Sequence, residues 1–216
     1  MTISVAIIDY GAGNLRSACK AFAHIAARLG VAGRVVITDQ PEEIQAAERL
    51  VLPGQGAFAD CMAGLRGKSG MVEALSEAVL QRGQPFLGIC VGMQLLADYG
   101  YEHGTHQGLG WIKGEVQAIP PQGASGHARR IPHMGWNDLR WHQPDLLAVS
   151  SCTQAYFVHS YHFIAQQPEN ILATTDYDGE LVAVIGRDNI LATQFHPEKS
   201  HDAGLSLIEH FLRWKP

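Results

Sequence analysis

A cysteine between two glycines is the residue in this sequence best suited to covalent chemistry. Cys90 lies in Gly88-Ile89-Cys90-Val91-Gly92, between the apolar run 86–89, which predicts a buried strand, and a predicted helix over residues 91–97. The flanking glycines permit a sharp turn from strand to helix, and a helix N-terminus favours a thiolate over a thiol. The pattern therefore predicts a nucleophile. The alternative is a cysteine that serves as a small buried hydrophobic residue.

A base for this thiol stands near the carboxyl end of the chain. His196 follows the apolar run 190–195, a predicted strand, and Glu198 comes two residues later, after Pro197. The proline keeps His196 out of a helix and stiffens the turn, so that Glu198 can orient the imidazole ring. On its own, this segment is better explained as an ordinary surface turn with a solvated Glu198. Alongside Cys90, it predicts nucleophilic acyl transfer with His196 as the base.

A third segment has the composition of an anion-binding turn. Gly54 and Gly56 flank Gln55 directly after the predicted strand 50–52. Two glycines around one residue allow an unusual backbone conformation, in which N–H groups can point at an anion. The alternative is an ordinary loop.

The segments that must position these residues alternate between short apolar strands and helices. Strands are predicted at residues 3–9, 34–38, 50–52 and 86–89, and helices over about 13–29 and 71–81. This order is typical of βαβ units, whose parallel sheet is covered on both faces. Later strands at 114–119, 155–159, 181–185 and 190–195 favour an antiparallel extension, before a closing helix at about 203–214. We expect one three-layer α/β domain over residues 1–216.

Composition excludes several classes of function. The 216 residues are 46% hydrophobic and 17% charged, with a formal net charge of −5, so a basic surface for nucleic acid is not expected. The apolar N-terminal run meets Asp9 early, and the longest apolar stretch, 85–97, is too short to cross a bilayer. We expect a cytoplasmic protein that binds neither nucleic acid nor membrane.

Other chemical sites are less well supported by residue spacing. Gly11-Ala12-Gly13 resembles the start of a dinucleotide-binding turn, but its third glycine position is Arg16. The pairs His103/His106 and His159/His162 have no cysteine or carboxylate at ligand spacing, and we expect no metal and no cofactor. The four cysteines form no Cys-x-x-Cys pair, which argues against a zinc ribbon and a disulfide framework.

The three segments together resemble the class I, triad-type glutamine amidotransferases in order and spacing over essentially the whole chain. Within that superfamily, four further segments resemble the glutaminase subunits of imidazole glycerol phosphate synthase: IDYGAGNLRS (8–17), PHMGWN (132–137), YFVHSYH (156–162) and QFHPEKS (194–200). The resemblance implies a flavodoxin-like class I glutamine amidotransferase architecture. It also implies that Cys90, His196 and Glu198 form a catalytic triad that hydrolyses glutamine through a thioester.

The resemblance assigns further residues to the reaction. Val91, together with Gln55 or Gly56, is expected to form the oxyanion hole with backbone N–H groups. Gln94 and the backbone around Ser160 are expected to bind glutamine. Many relatives carry valine where this chain has Gln55, which leaves open the residue that supplies the second oxyanion donor.

The resemblance also implies a partner. Such glutaminases form a heterodimer with a (β/α)₈ cyclase subunit in histidine biosynthesis and pass ammonia into its barrel, which makes imidazole glycerol phosphate and aminoimidazole carboxamide ribotide. The interface or ammonia path would include five residues of this chain: Asn14, Arg16, Trp136, Tyr161 and Lys199.

Two functions of other classes remain open at the level of the sequence. One is a binding or chaperone-like module that keeps the cysteine without turnover, although the complete set of Cys90, His196 and Glu198 argues against it. The other is a cysteine hydrolase acting on peptides or γ-glutamyl conjugates, since the same groups serve any acyl transfer. Gln94 and the segment 132–137 favour glutamine and a partner.

Overall fold

The chain folds around an eight-stranded central sheet in a computed structural model that describes residues 2–142 and 152–216. The strands are β1 (Ile3–Ile8), β2 (Arg34–Thr38), β3 (Leu50–Gly54), β4 (Phe86–Cys90), β5 (Tyr99–Gly100), β6 (His106–Gln107), β7 (Gly114–Ala118), β8 (His133–Asp138), β9 (Arg140–Trp141), β10 (Gln154–His159), β11 (Tyr161–Ala165), β12 (Ile171–Asp176), β13 (Glu180–Arg187) and β14 (Ile190–Thr193). The helices are α1 (Leu15–Leu29), α2 (Pro41–Ala46), α3 (Phe58–Gly67), α4 (Met71–Ser76), α5 (Val91–Gln94) and α6 (His201–Arg213).

The central sheet is parallel on one side and antiparallel on the other. Its order is β2-β1-β3-β4-β14-β13-β12-β9, and the first five strands pair in parallel. The last three strands continue the sheet with antiparallel pairing. This confirms the predicted α/β fold with a mostly parallel sheet and an antiparallel extension. The buried residues of β1, β3 and β4 explain why these strands read as continuous apolar runs.

Helices cover both faces of the parallel half. Because β1 lies between β2 and β3, right-handed crossovers through α1 and α2 place these two helices on opposite faces. Helix α6 packs beside α1, where the rings of Phe22 and Phe211 meet edge to face at 6.1 Å. Within residues 2–142 and 152–216, no helix combines the length and apolar composition needed to cross a membrane.

Two small sheets stand beside the central one. Strands β8 and β10 pair antiparallel, and β11, β7, β5 and β6 form a four-stranded sheet. Only Ser160 separates β10 from β11, so the chain passes directly from one small sheet to the other at this residue.

Several predicted elements differ in extent from the observed ones. Helix α5 ends at Gln94 rather than at residue 97, because the carbonyls of residues 95–97 accept hydrogen bonds from the loop at residues 109–112. The predicted helix 71–81 consists of α4 followed by a π-helical turn at Glu77–Gln81. Strand β14 ends at Thr193, two residues earlier than predicted, and α3 did not figure among the predicted helices.

The turn between β4 and α5 depends on close backbone packing. A Cβ atom on Gly92 would collide with the carbonyl oxygen of Leu52 on β3, and one on Gly88 would lie 2.8 Å from the carbonyl oxygen of Gly92. Real Cβ atoms do not approach backbone this closely, so neither position accepts a side chain without displacing a strand. The glycines therefore allow α5 to begin against β3.

Two buried histidines join β8 to β10. His133 lies opposite His159 in the strand register, and the His133 Nδ1 atom is 2.9 Å from His159 Nε2. His159 Nδ1 lies 2.8 Å from the carbonyl oxygen of Tyr161, so it carries the proton and leaves Nε2 to accept from His133. His133 Nε2 is 3.3 Å from the amide nitrogen of Asn137. Both rings are thus hydrogen-bonded in the neutral state.

We predict that Gly92→Ala lowers the free energy of unfolding by about 3 kcal/mol or more, because the backbone of β3 cannot move away from the new methyl group. Gly67→Ala, at the end of α3, is the matched control, since no heavy atom lies within 4 Å of its added Cβ. Its expected change is within about 1 kcal/mol. Urea unfolding of the three proteins measures the difference, and equal stability of both variants would contradict the prediction.

We predict that the histidine pair makes stability fall in acid. Burial lowers the pKa of His133 to about 4 and of His159 to about 3, whereas the unfolded chain takes up protons near pH 6.5. The pair should leave the free energy of unfolding unchanged above about pH 7. Below pH 6.5 each histidine should reduce it by up to about 1.4 kcal/mol per pH unit.

The measurement is an NMR titration of the imidazole resonances, with His133→Asn used to assign them, beside urea unfolding at each pH. Neither ring should titrate above pH 5 in the folded protein. A midpoint near pH 6.5 for either ring would show that the pair is not held neutral, and the predicted acid sensitivity would be wrong.

Candidate active site

The backbone of Cys90 adopts a conformation that side chains rarely occupy. At the last residue of β4 its dihedral angles are φ 57° and ψ −114°, and Val91 begins α5 directly after it. The first residues of a helix have no intrahelical carbonyl partner for their N–H groups. The Cys90 thiol and the N–H of Val91 therefore lie together at the carboxyl edge of the sheet, as the sequence predicts.

His196 and Glu198 reach this edge because β14 is the sheet neighbour of β4. The His196 Nδ1 atom is 2.9 Å from Glu198 Oε1, and their side chains are only 6% and 3% exposed. Pro197 opens a 3₁₀ turn after His196, which holds the two side chains in a fixed relation. His196 and Cys90 line the same cavity, and the interaction with Cys90 is one of the causes that raise the pKa of His196. The three residues thus form a continuous buried chain of polar groups.

The electrostatics of this chain favour the protonated form of His196. Burial alone would lower the pKa of His196, but its hydrogen bond with Glu198 and its interactions with both Cys90 and Glu198 raise the pKa above the ordinary value. An imidazolium beside sulfur stabilises the thiolate. The other cysteines lack such a partner: burial raises the pKa of Cys19 and Cys61, and that of Cys152 to about 12.

The glycine-rich loop after β3 lies beside Cys90, held by two side chains. The Tyr10 hydroxyl donates to the carbonyl oxygen of Pro53 at 2.7 Å, and the Cys61 thiol lies 3.5 Å from the carbonyl oxygen of Gln55. Gly54 and Cys90 are paired in the strand register. The loop therefore approaches Cys90 from the neighbouring strand.

A cavity of about 310 Å³ brings most of the predicted residues together. Its lining includes nine of them: Gln55, Gly56, Cys90, Val91, Gln94, Ser160, Tyr161, His196 and Lys199. Glu198 lies behind His196 and reaches the cavity only through it. A volume of this order suits a small amino acid.

Gln94 is fastened to its surroundings rather than free to rotate. Its Nε2 atom donates to the carbonyl oxygen of Tyr161 at 3.0 Å and to Gln194 Oε1 at 3.0 Å. Ser160 is fixed by its backbone, since its carbonyl oxygen accepts from the N–H of Ile119. Both residues face the cavity with defined orientations.

Three of the predicted interface residues lie outside this cavity lining. Asn14 caps α1, accepting a hydrogen bond from the N–H of Ser17 at 3.4 Å, and Arg16 is exposed in the first turn of that helix. Trp136 projects from β8 with 47% of its surface exposed and stacks on the ring of His201, with 5.1 Å between ring centroids. The structure thus separates these residues from Tyr161 and Lys199, which line the cavity.

Two residues in or next to the cavity were not singled out by the sequence analysis. Glu102 lies in its wall and accepts a hydrogen bond from the N–H of Phe58, the first residue of α3, at 2.7 Å. Gln194 is not part of the cavity lining, but its Nε2 atom lies 3.9 Å from the Sγ atom of Cys90. No local sequence pattern indicates Glu102. Gln194 stands two residues before His196, and this proximity in sequence could have indicated that it lies near the site.

A second, larger cavity of about 1000 Å³ lies between β8 and the hairpin of β12 and β13. Its lining is polar and acidic, including Asp138, Asp176 and Glu180, and contains none of the predicted catalytic residues. Within residues 2–142 and 152–216, no group of three or more metal-ligating side chains converges. Of these two cavities, the smaller is therefore the candidate active site, because it combines a thiol with a base and the larger does not.

Comparison with known proteins agrees with this geometry. The family described as "Glutamine amidotransferase class-I" matches residues 6–214. Similar proteins include the "Imidazole glycerol phosphate synthase subunit HisH" of Rhodospirillum rubrum, 56% identical over 98% of this chain and 99% of that protein. The protein of the same name from Agrobacterium fabrum is 50% identical over 98% of this chain and 99% of its own length.

Solved structures show the same fold at lower identity. A structure described as a glutamine amidotransferase superposes with a TM-score of 0.68 at 20% identity, covering 97% of each chain. A glutamine amidotransferase from Thermotoga maritima superposes with a TM-score of 0.59 at 15% identity, covering 92% of this chain and 77% of that one. On the family match and the close relatives, this chain belongs to the class-I glutamine amidotransferase family and, within it, to the HisH subunits of imidazole glycerol phosphate synthase.

Proposed function

We propose that this chain hydrolyses glutamine to glutamate and ammonia at Cys90 and delivers the ammonia to a cyclase subunit. The observation that carries the proposal is the buried chain of Cys90, His196 and Glu198 at the wall of a cavity of about 310 Å³. A thiolate, a base and an orienting carboxylate are the groups that acyl transfer from an amide requires.

The first half of the reaction forms a thioester. The Cys90 thiolate attacks the carboxamide carbon of glutamine, and the negative charge moves to the carboxamide oxygen. The N–H of Val91, together with that of Gln55 or Gly56, receives this oxyanion, a contribution of about 3 to 4 kcal/mol for each well-placed donor. His196 then gives its proton to the departing nitrogen, and ammonia leaves.

The second half restores the enzyme. Neutral His196 takes a proton from water, the hydroxide attacks the thioester carbon, and glutamate leaves as sulfur departs as a thiolate. Glu198 keeps the ring orientation through its bond to Nδ1 and stabilises the imidazolium in both halves. The proposed substrate contacts are Gln94 and the backbone at Ser160, with the Glu102 carboxylate available for an ammonium group.

The partner is proposed from the relatives and from the surface. The relatives are named as a subunit of imidazole glycerol phosphate synthase. We therefore propose that this chain is a single glutaminase domain that forms a heterodimer with the cyclase subunit. In this heterodimer it would act in histidine biosynthesis. Tyr161 and Lys199 line the cavity and suit its exit, whereas Asn14, Arg16 and Trp136 suit the surrounding contact surface. A cytoplasmic location stays a prediction.

We predict that Cys90→Ala abolishes glutamine-dependent synthesis by the assembled complex, while synthesis from ammonium salts survives, because only the production of ammonia is lost. The loss should exceed a factor of about 1000. The measurement is product formation by the complex with either nitrogen source, and glutamine hydrolysis by the wild-type chain with and without its loaded partner.

Cys19→Ser is the control for this experiment, since Cys19 is a half-buried thiol outside the cavity lining. It should keep both activities. Loss of ammonium-dependent synthesis in Cys90→Ala would point to a structural role for Cys90, and absence of glutamine hydrolysis by the wild-type complex would contradict the proposed function.

We predict that Trp136→Ala weakens assembly with the cyclase subunit at least tenfold and changes the free energy of unfolding by less than about 1 kcal/mol, because the indole is half exposed. Leu80→Ala is the control. Leu80 is equally exposed but precedes β4, at the edge of the sheet opposite Cys90. Titration calorimetry and urea unfolding measure the two effects, and an unfolded Trp136→Ala variant would instead favour a core role.

A further inference from the structure

The carboxamide of Gln194 is a buried polar group that the mechanism above does not use. Gln194 follows the last residue of β14 and has no exposed surface. Its Oε1 atom accepts from Gln94 Nε2 at 3.0 Å, and its Nε2 atom lies 3.9 Å from Cys90 Sγ. One side chain therefore touches both the nucleophile and a cavity residue that is 100 positions away in the chain.

The contacts of Gln94 determine which end of its carboxamide is left for a ligand. Its nitrogen lies against two acceptors, the carbonyl oxygen of Tyr161 and Gln194 Oε1, and an amide nitrogen has only two protons to donate. Both protons are thus used within the protein. The group that remains for the cavity is Gln94 Oε1, which accepts hydrogen bonds and cannot donate them.

The orientation of Gln194 follows from the same pairing. Because its oxygen faces Gln94, its nitrogen faces Cys90 and presents an N–H donor to sulfur. A hydrogen bond from a neutral donor strengthens when the acceptor becomes charged. This donor therefore stabilises the Cys90 thiolate in addition to the His196 imidazolium, which lies two residues further along the chain.

We propose that Gln194 is a positioning residue with two effects: it holds Gln94 with its oxygen toward an N–H or ammonium group of the substrate, and it donates a hydrogen bond to the Cys90 thiolate. The first effect rests on the proposed function, since it concerns glutamine. The second does not, because it concerns the thiol alone. The competing explanation is that Gln194 only fills a buried polar position at the end of β14.

The test uses Gln194→Met, which keeps the length of the side chain and removes both polar ends. The first measurement is the rate of Cys90 alkylation by iodoacetamide between pH 5 and 9, read on the Cys90 peptide by mass spectrometry. In the full chain without glutamine, we expect the midpoint of this profile to rise by about one pH unit in Gln194→Met. In Gln94→Met the rise should be clearly smaller, because Gln194 keeps its N–H donor there and loses only the hydrogen bond that orients it.

The second measurement is glutamine hydrolysis by the complex with the cyclase subunit. Gln94→Met and Gln194→Met should each raise KM about tenfold, and Gln194→Met should lower kcat more than Gln94→Met does, because it removes the N–H donor to the thiolate altogether. In the double variant, KM should equal that of Gln94→Met alone, because the two residues act on the substrate through one group.

Thr193→Val is the matched control for a local structural effect. Thr193 is equally buried at the end of β14, and its hydroxyl donates to the carbonyl oxygen of Phe195 at 2.9 Å. This variant should lose stability without moving the alkylation profile. If Gln194→Met fails to fold, Gln194→Asn keeps the polarity but cannot reach both partners, and the same shifts are expected.

Two results would overturn the proposal. One is an unchanged alkylation profile in a folded Gln194 variant. The other is a KM in the double variant that is raised by the product of the two single-variant factors. These results are distinguishable from failure of the proposed function. Absence of glutamine hydrolysis by the wild-type complex would contradict the proposed function and, with it, the effect on substrate, whereas the alkylation measurement needs neither glutamine nor a partner.

Discussion

The left-handed backbone of Cys90 is the constraint on which the site depends. A non-glycine residue in such a conformation costs of order 1 to 3 kcal/mol and persists only where surrounding structure requires it. Here β4 is fully buried between β3 and β14, and α5 begins against the backbone of β3, where Gly92 leaves no side chain in the way. The chain can leave β4 only by a sharp turn, which places the thiol at the edge of the sheet beside the first N–H groups of α5.

The order of strands then brings the other groups to the thiol. Because β14 pairs with β4, the residues that follow β14 emerge at the same edge, and His196 reaches Cys90 although 106 positions separate the two. The loop after β3 arrives from the other neighbour of β4. Two neighbours that are negative when ionised raise the pKa of His196 despite its burial. The parallel sheet thereby brings together the Cys90 thiol, the His196 imidazole and the glycine-rich loop from three distant segments.

Hydrogen bonds between buried polar side chains fix the orientations of the donors and acceptors around this site. The carboxamides of Gln94 and Gln194 are both buried and hydrogen-bonded to each other, so neither can reverse without losing a buried hydrogen bond. The imidazoles of His133 and His159 form a similar one-way chain that ends on the carbonyl of Tyr161, the same atom that binds Gln94. The exposed face of Trp136 lies outside this network.

Residue types and local spacing were sufficient to predict the α/β fold with its mostly parallel sheet, because alternating apolar strands and helices are a local pattern. They also singled out Cys90, His196 and Glu198, whose glycine and proline neighbours are visible within five residues. The early end of α5, the role of Glu102 and the pairing of Gln94 with Gln194 were not predictable in this way. Each depends on contacts between segments that are far apart in the chain, and only the folded sheet decides which of them meet.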